Sequence, residues 1–181
     1  MNEVLQTIRD RYSCRDFKSG ALTAEQINQL VEAGLAAPSA MNLQPWHISV
    51  VTDKAFIEEM DAAAMAEENK NEPWYERIMG RGGKLFYNAP VMFFIAKNDS
   101  HWATHDVGIV CQNITLAAHS MGLASIIVAM ARIPLSGSKG EDFIKRLKFP
   151  EGMEFCMSVC VGYANSGKAP HELDRSKVTY I

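Results

Sequence analysis

The sequence predicts a single α+β domain spanning residues 1–181, on three observations. Four short β-prone runs, at 47–52, 90–96, 124–129 and 154–162, are separated by stretches whose apolar residues recur at helical spacing. No repeat, linker or low-complexity segment divides the chain. Its 181 residues, 48% of them hydrophobic, suffice for one core.

The elements follow in order. Val4, Leu5 and Ile8 place a short amphipathic helix at 3–12. Thr23 and Gln26 form a capping box, and Ile27, Leu30, Val31, Gly34 and Leu35 continue one stripe until Pro38 stops it. The β-branched run 47–52 is a strand, after which Asp53 can cap a helix carrying Phe56, Ile57 and Met60. Residues 67–84, polar and containing Gly80, Gly82 and Gly83, read as a loop with one helical turn around Trp74 and Tyr75. The unbroken apolar run 90–96 is a strand buried on both faces. The longest helix covers 104–121, with Val107, Val110, Cys111, Ile114, Ala117, Ala118 and Met121 inward and Gly122 at a left-handed cap. After the strand at 124–129, Ser138 to Glu141 form a second capping box, opening a helix with Phe143, Ile144 and Leu147. The strand 154–162 is the last, and the polar tail 163–181 must lean on something to be ordered.

Composition excludes several classes. Eighteen basic against 21 acidic residues give a net charge of −3, with no global attraction to nucleic acid or anionic membrane. The first ten residues lack the basic and apolar regions of a secretory signal. The apolar run 123–131, broken by Ser125, falls far short of the ~20 residues of a membrane span. Cys14, Cys111, Cys156 and Cys160 form no Cys-x-x-Cys pair, and on a strand Cys156 and Cys160 would lie ~13 Å apart, too far for a disulfide. Reduced thiols and a cytoplasmic location are expected.

Two segments could carry chemistry. In Arg11-Tyr12-Ser13-Cys14-Arg15 an extended backbone puts residues 11, 13 and 15 on one face, where two guanidiniums and a hydroxyl match a phosphate. The alternative is a solvated surface with Arg15 paired to Asp10 or Asp16. In the segment 38–46, Pro38 ends a helix and Pro45 holds Gln44 extended. Small residues between them allow close backbone approach, and Asn42 and Gln44 each offer a donor and an acceptor, suiting the polar edge of a flavin or its ribityl chain. The alternative is an ordinary turn with Trp46 closing the core.

Weaker signals sit elsewhere. His101 and His105, four apart, could share a metal on a helix, but no third ligand is evident, and a helix-start histidine near Asp106 is the plainer reading. His119 reads as a hydrogen-bonded core residue. The segment from Gly80 to Leu85 has the wrong spacing for a P-loop, although Arg81 and Lys84 could attract a nicotinamide cofactor's phosphates. The ten methionines read as core filler.

Taken together, Arg-x-Ser-x-Arg-x-Phe at 11–17 and Pro-Ser-x-x-Asn-x-Gln-Pro-Trp at 38–46 resemble the nitroreductase family of FMN-dependent oxidoreductases. The resemblance continues through Asn88-Ala89-Pro90-Val91, the stretch Gln112 to Ala118, Met121-Gly122-Leu123 and Val161-Gly162-Tyr163, in order over nearly the whole chain. It implies a mostly antiparallel sheet flanked by helices, in a homodimer with shared FMN sites and a C-terminal tail reaching the partner. Arg11, Ser13 and Arg15 would hold the FMN phosphate. Pro38, Ser39 and Ala40 would line the flavin, and Asn42 and Gln44 would bond to its polar groups. Ile127 and Val128 would run beside the ring, and Arg175 would return to the phosphate. Two departures stand out. Asp174 occupies a place often basic, with Lys168 or Lys177 as stand-ins, and no glycine follows the strand at Ala129 to Ala131.

The activity implied is ping-pong electron transfer from NADH or NADPH through FMN to a nitroaromatic, quinone or similar small-molecule acceptor. The flavin carries the chemistry, so no catalytic triad or carboxylate pair is required. Water would supply the substrate proton, with Tyr75, Tyr87 or His47 as alternatives, and Trp74 and Tyr75 could form a small lid. Competing readings are a flavin-binding protein that stores, delivers or senses FMN, a specialised flavoenzyme such as a reductive dehalogenase, and a metal-dependent hydrolase built on His101 and His105.

Overall fold

Four strands, β1 (Trp46–Val51), β2 (Val91–Lys97), β3 (Ala124–Ile127) and β4 (Glu154–Gly162), form one antiparallel sheet in the order β1-β2-β4-β3. These bounds come from a computed structural model that describes residues 2–181. Side chains on β2 alternate between two cores. Val91, Phe93 and Ile95 pack toward α2 (Ala24–Leu35) and α5 (Ala103–Ser120), among Leu30, Val107, Val110 and Ile114. Met92 and Phe94 face the other way, toward Phe56 and Met60 of α3 (Lys54–Ala64) and Phe143 of α7 (Gly140–Leu147). Hence the unbroken apolar run at 90–96, since both faces of this central strand are covered.

Local chemistry sets several boundaries. The Thr23–Gln26 capping box forms with both reciprocal bonds, and Asp53 accepts from Ala55 and Phe56 N–H at the head of α3. Gly122, at φ +72°, closes α5 in the left-handed region where a side chain would be strained. The expected capping box at Ser138 does not form. Its backbone N–H and hydroxyl instead turn to Glu68 Oε1 (3.3 and 3.4 Å), and α7 begins at Gly140. A Cβ on Gly140 would collide with the Leu135 carbonyl, at the end of the short helix α6 (Arg132–Ser136), so close approach rather than a cap fixes this junction.

Two expected elements differ in extent. The strand foreseen to residue 129 ends at Ile127, because Val128 is held from both sides by Ser158. Val128 N–H donates to the Ser158 carbonyl (2.8 Å), and the Ser158 hydroxyl donates to the Val128 carbonyl (2.7 Å). The chain then turns through a 3-10 stretch, Ala129–Ala131. Within the segment 67–84, a 3-10 turn at Glu67–Asn69 precedes α4 (Tyr75–Met79). Tyr75 and Trp74 pack inward rather than over a cleft, with the Tyr75 hydroxyl donating to the Met65 carbonyl (3.2 Å). His119 is half-buried in the last turn of α5 and makes no described side-chain hydrogen bond.

The first helix, α1 (Glu3–Asp10), has no buried residue, and Val4, Leu5 and Ile8 stand 65, 53 and 48% exposed. All four cysteines are free and buried, and burial raises every thiol pKa, that of Cys111 to about 12. None of the described helices is long and apolar enough to cross a membrane.

Candidate functional site

Past α1 the chain runs beside the edge strand β3. Ser13 bridges Ser125, the Cys14 N–H donates to the Ser125 carbonyl (3.0 Å), and the Phe17 N–H donates to the Tyr87 carbonyl (3.3 Å). Cys14 therefore points into the core while Arg11, Ser13 and Arg15 line a groove on the outer side, as the period-2 argument requires; the alternation stops there, since Phe17 turns into the core as well. The start of the tail closes over them. The Tyr12 hydroxyl donates to the Ser166 carbonyl (3.1 Å), and Asn165 binds Asp16 through its backbone (3.0 Å) and its side chain (2.9 Å). Burial raises the Tyr12 pKa, with the neighbouring Cys14 adding to it, which favours the protonated donor. This folding brings Lys168 to the same groove.

The groove has two ends joined at Arg15. One, of about 380 Å³, is lined by Arg11, Ser13 and Lys168. The other, of about 260 Å³, lies against Ile126 to Met130, facing Arg77, Arg81 and Tyr87. Asp10 takes the Gln6 amide (2.6 Å) and Asp16 takes Asn165, and among the described residues neither is in an ion pair with Arg15. Among the described residues, none of Arg11, Arg15 or Lys168 is in an ion pair. Arg11 Nε is buried without a hydrogen-bond partner, as is Ser125 Oγ nearby in the chain's bridge to Ser13. A desolvated guanidinium N–H with no acceptor is costly unless an anion completes it. The donor set, two guanidiniums, an ammonium and a hydroxyl, fits the phosphate end of a nucleotide such as FMN. Val128, fixed by Ser158, gives the other end a rigid wall for a flat ring.

A buried carboxylate supports this groove from behind. Asp61, 2% exposed, accepts the Phe86 N–H (3.0 Å), fixing the segment that carries Leu85 and Tyr87 to the groove wall. Burial pushes its pKa up to about 6, against the opposing pull of that hydrogen bond and of Lys84. Asp61 also borders a separate cavity of about 400 Å³ with Phe17, Ile57 and Pro90.

The other sequence-predicted segment lies elsewhere. Pro38 to Gln44 make a tight exposed turn containing the 3-10 stretch Ala40–Asn42, with positive φ at Met41, Asn42 and Gln44. Ser39 Oγ accepts the Gln44 N–H (2.9 Å), Asn42 Oδ1 accepts the Gln44 amide (3.1 Å), and buried Asp106 accepts the Ala40 N–H (3.3 Å). Pro38, Ser39, Ala40, Asn42 and Gln44 line none of the groove formed by Arg11, Ser13, Arg15, Ile127 and Val128 of the same chain. Arg175 lies in a 3-10 turn of the exposed tail, Arg175–Lys177, also outside it.

Sequence reasoning gave Lys168 only as a stand-in and did not single out Arg77. The legible signal was the i, i+4 pairing of Arg77 with Arg81. Of the proton-donor alternatives only Tyr87 borders the groove; His47 sits on β1 at another cleft, and Tyr75 is buried. His101 and His105 both pack edge-on to Trp102, at 4.6 and 5.4 Å between ring centres. Among the described residues no three His, Cys, Asp or Glu side chains are grouped to hold a metal.

With this geometry in place, comparison with known proteins is informative. The profile of the Nitroreductase family matches residues 8–163. The fold superposes on an FMN-bound nitroreductase from Desulfitobacterium hafniense with a TM-score of 0.95 and 44% identity, over 100% of this chain and 99% of that one. For an FMN-bound nitroreductase from Bacteroides fragilis the TM-score is 0.88 and the identity 25%, over the full length of both chains. A putative NADH dehydrogenase/NAD(P)H nitroreductase from Archaeoglobus fulgidus is 26% identical, over 96% of this chain and 92% of its own. One of the same description from Methanothermobacter thermautotrophicus is 28% identical over 68% of this chain, a match that spans only 59% of that relative.

Proposed function

This chain belongs to the nitroreductase family, and from that premise we propose that it is an FMN oxidoreductase, driven by NAD(P)H, that reduces nitroaromatic, quinone or similar conjugated acceptors as a homodimer. The observation that carries this reading is the buried, partnerless Arg11 Nε at the end of a cationic groove whose far wall is the pinned strand end at Ile127 and Val128. Bound there, FMN would supply the hydride chemistry, taking two electrons from the donor and passing them to the acceptor.

The chain's own residues bind, orient and exclude. Arg11, Ser13 and Arg15 hold the phosphate, with Lys168 from the tail beside them. Ser158 keeps Val128 from moving, so the ring meets a preorganised edge. Tyr87 is the hydroxyl at the groove from which a proton could be delivered or relayed from water. Pro38, Ser39, Ala40, Asn42 and Gln44 complete the site from a second copy, and Arg175 reaches a phosphate by the same route. This is supported by the exposed apolar face of α1 and by exposed Leu35, Met41 and Leu43, which a partner would cover.

The test is an absorption spectrum and a turnover assay on purified protein, with its size measured in parallel. The expected result is a yellow protein of twice 20.1 kDa that oxidises NADPH or NADH only while a quinone or nitroaromatic is present. Tight FMN with no turnover would favour storage or sensing instead. A colourless, well-folded protein that takes up no FMN would overturn the proposal.

A further inference from the structure

Arg77 lies in α4 and Arg81 in the turn just beyond its end at Met79, and the two meet on the wall of one pocket. Both border the end of the groove that faces Ile127 to Met130; Arg81 also borders its middle, with Ser13, Arg15 and Lys168, whereas Arg77 does not reach that far. Among the described residues neither is in an ion pair. The groove as a whole is bordered by Arg11, Arg15, Arg77, Arg81 and Lys168 against one acid, Asp16, whose carboxylate is already engaged by Asn165. A phosphate dianion would neutralise at most two of these five cations. On a chain of net charge −3 the surplus is a local field, concentrated where the reacting molecules must enter.

Resting on the flavin reading above, we infer that Arg77 and Arg81 form a second anion subsite, which selects reaction partners bearing a phosphate, carboxylate or sulfonate group. Guanidiniums bind such groups bidentately and stay charged at any working pH. The anion has two possible sources: the 2′-phosphate that distinguishes NADPH from NADH, or an acidic substituent on the acceptor. In either case a charged partner is both steered into the groove and held there, so its advantage falls as salt rises.

The experiment uses the flavin-loaded protein and the variants Arg77→Gln and Arg77→Gln/Arg81→Gln. Equilibrium binding of NADP⁺ and NAD⁺ is followed by flavin fluorescence, and kcat/KM is compared for 1,4-naphthoquinone and its 2-sulfonate at low and high salt. In the parent, at least one charged member of these pairs is expected to be favoured by about tenfold or more. That preference should shrink with salt, fall in Arg77→Gln with flavin occupancy by absorbance kept, and collapse in the double variant. Preference for NADP⁺ alone identifies the donor's phosphate, and preference for the sulfonate alone identifies the acceptor. A flavin-loaded parent that treats charged and neutral partners alike overturns the subsite and leaves the flavin reading standing. A parent that takes up no FMN overturns that reading, and the subsite with it.

Discussion

The segment at Arg11 to Arg15 and the turn at Pro38 to Gln44 look equally functional as sequence, yet the chain treats them oppositely. The first is bonded to β3, to Tyr87 and to the start of the tail, and its polar face closes a groove with its own chain. The second is braced mainly by its own side chains and by Asp106, and it offers its polar groups to solvent. The difference is the one a shared site would need: the first segment is finished by folding, and under the proposed function the second would be completed only by association.

Introducing Leu5→Glu with Ile8→Glu on the bare face of α1 should have the largest effect. Charges there would prevent a second copy from docking, and a monomer would be left with half a site. The expected outcome by light scattering and absorbance is a folded monomer without flavin; a flavin-loaded monomer would show that the Pro38 turn is not shared. Next is Arg11→Ala with Arg15→Ala, which removes two charge-assisted contacts and should weaken FMN by roughly 3–6 kcal/mol in a fluorescence titration. Undiminished affinity would move the phosphate away from this segment.

Asp61→Asn probes the support behind the first half. The carboxyl titrates at about 6 in the fold against 3.8 for an ordinary aspartate, so the folded chain holds the proton more tightly than the unfolded one. Below pH 4 both states carry it. Between about pH 4 and 6 the unfolded chain has released the proton while the folded one still holds it, so stability falls across that window by about 3 kcal/mol and levels off once the folded carboxyl has ionised inside the core. Asparagine keeps an oxygen for the Phe86 N–H but has no charge to bury. In urea unfolding the variant should therefore match the parent near pH 4 and exceed it at pH 8. The smallest effect is expected for Ser39→Ala, which removes one exposed hydrogen bond to Gln44 and should cost about 1 kcal/mol or less in thermal unfolding.

What could be read in advance follows the same division. Strand β4 matches its expected bounds, and β2 was recognisable as central because an unbroken apolar run needs two covered faces. The Thr23 cap was legible because both partners of the box are local; the one at Ser138 was not, because Glu68, seventy residues away, competes for the same hydroxyl. Arg11, Ser13 and Arg15 share a face through simple alternation. The arrival of Lys168 depends on how Asn165 and Ser166 dock, and that is a tertiary event. Arg77 sits in a polar stretch whose short helix is set by burying Tyr75 and Ile78.

The four buried thiols bear on the protein's durability. At neutral pH each is held as an uncharged sulfhydryl out of contact with solvent, and an uncharged sulfhydryl is a poor nucleophile. Alkylating reagents and peroxides, which attack the anion, would thus find little to react with until the chain unfolds. Cys14, directly behind the groove-lining arginines, is shielded by the same inward turn that aims its neighbours outward.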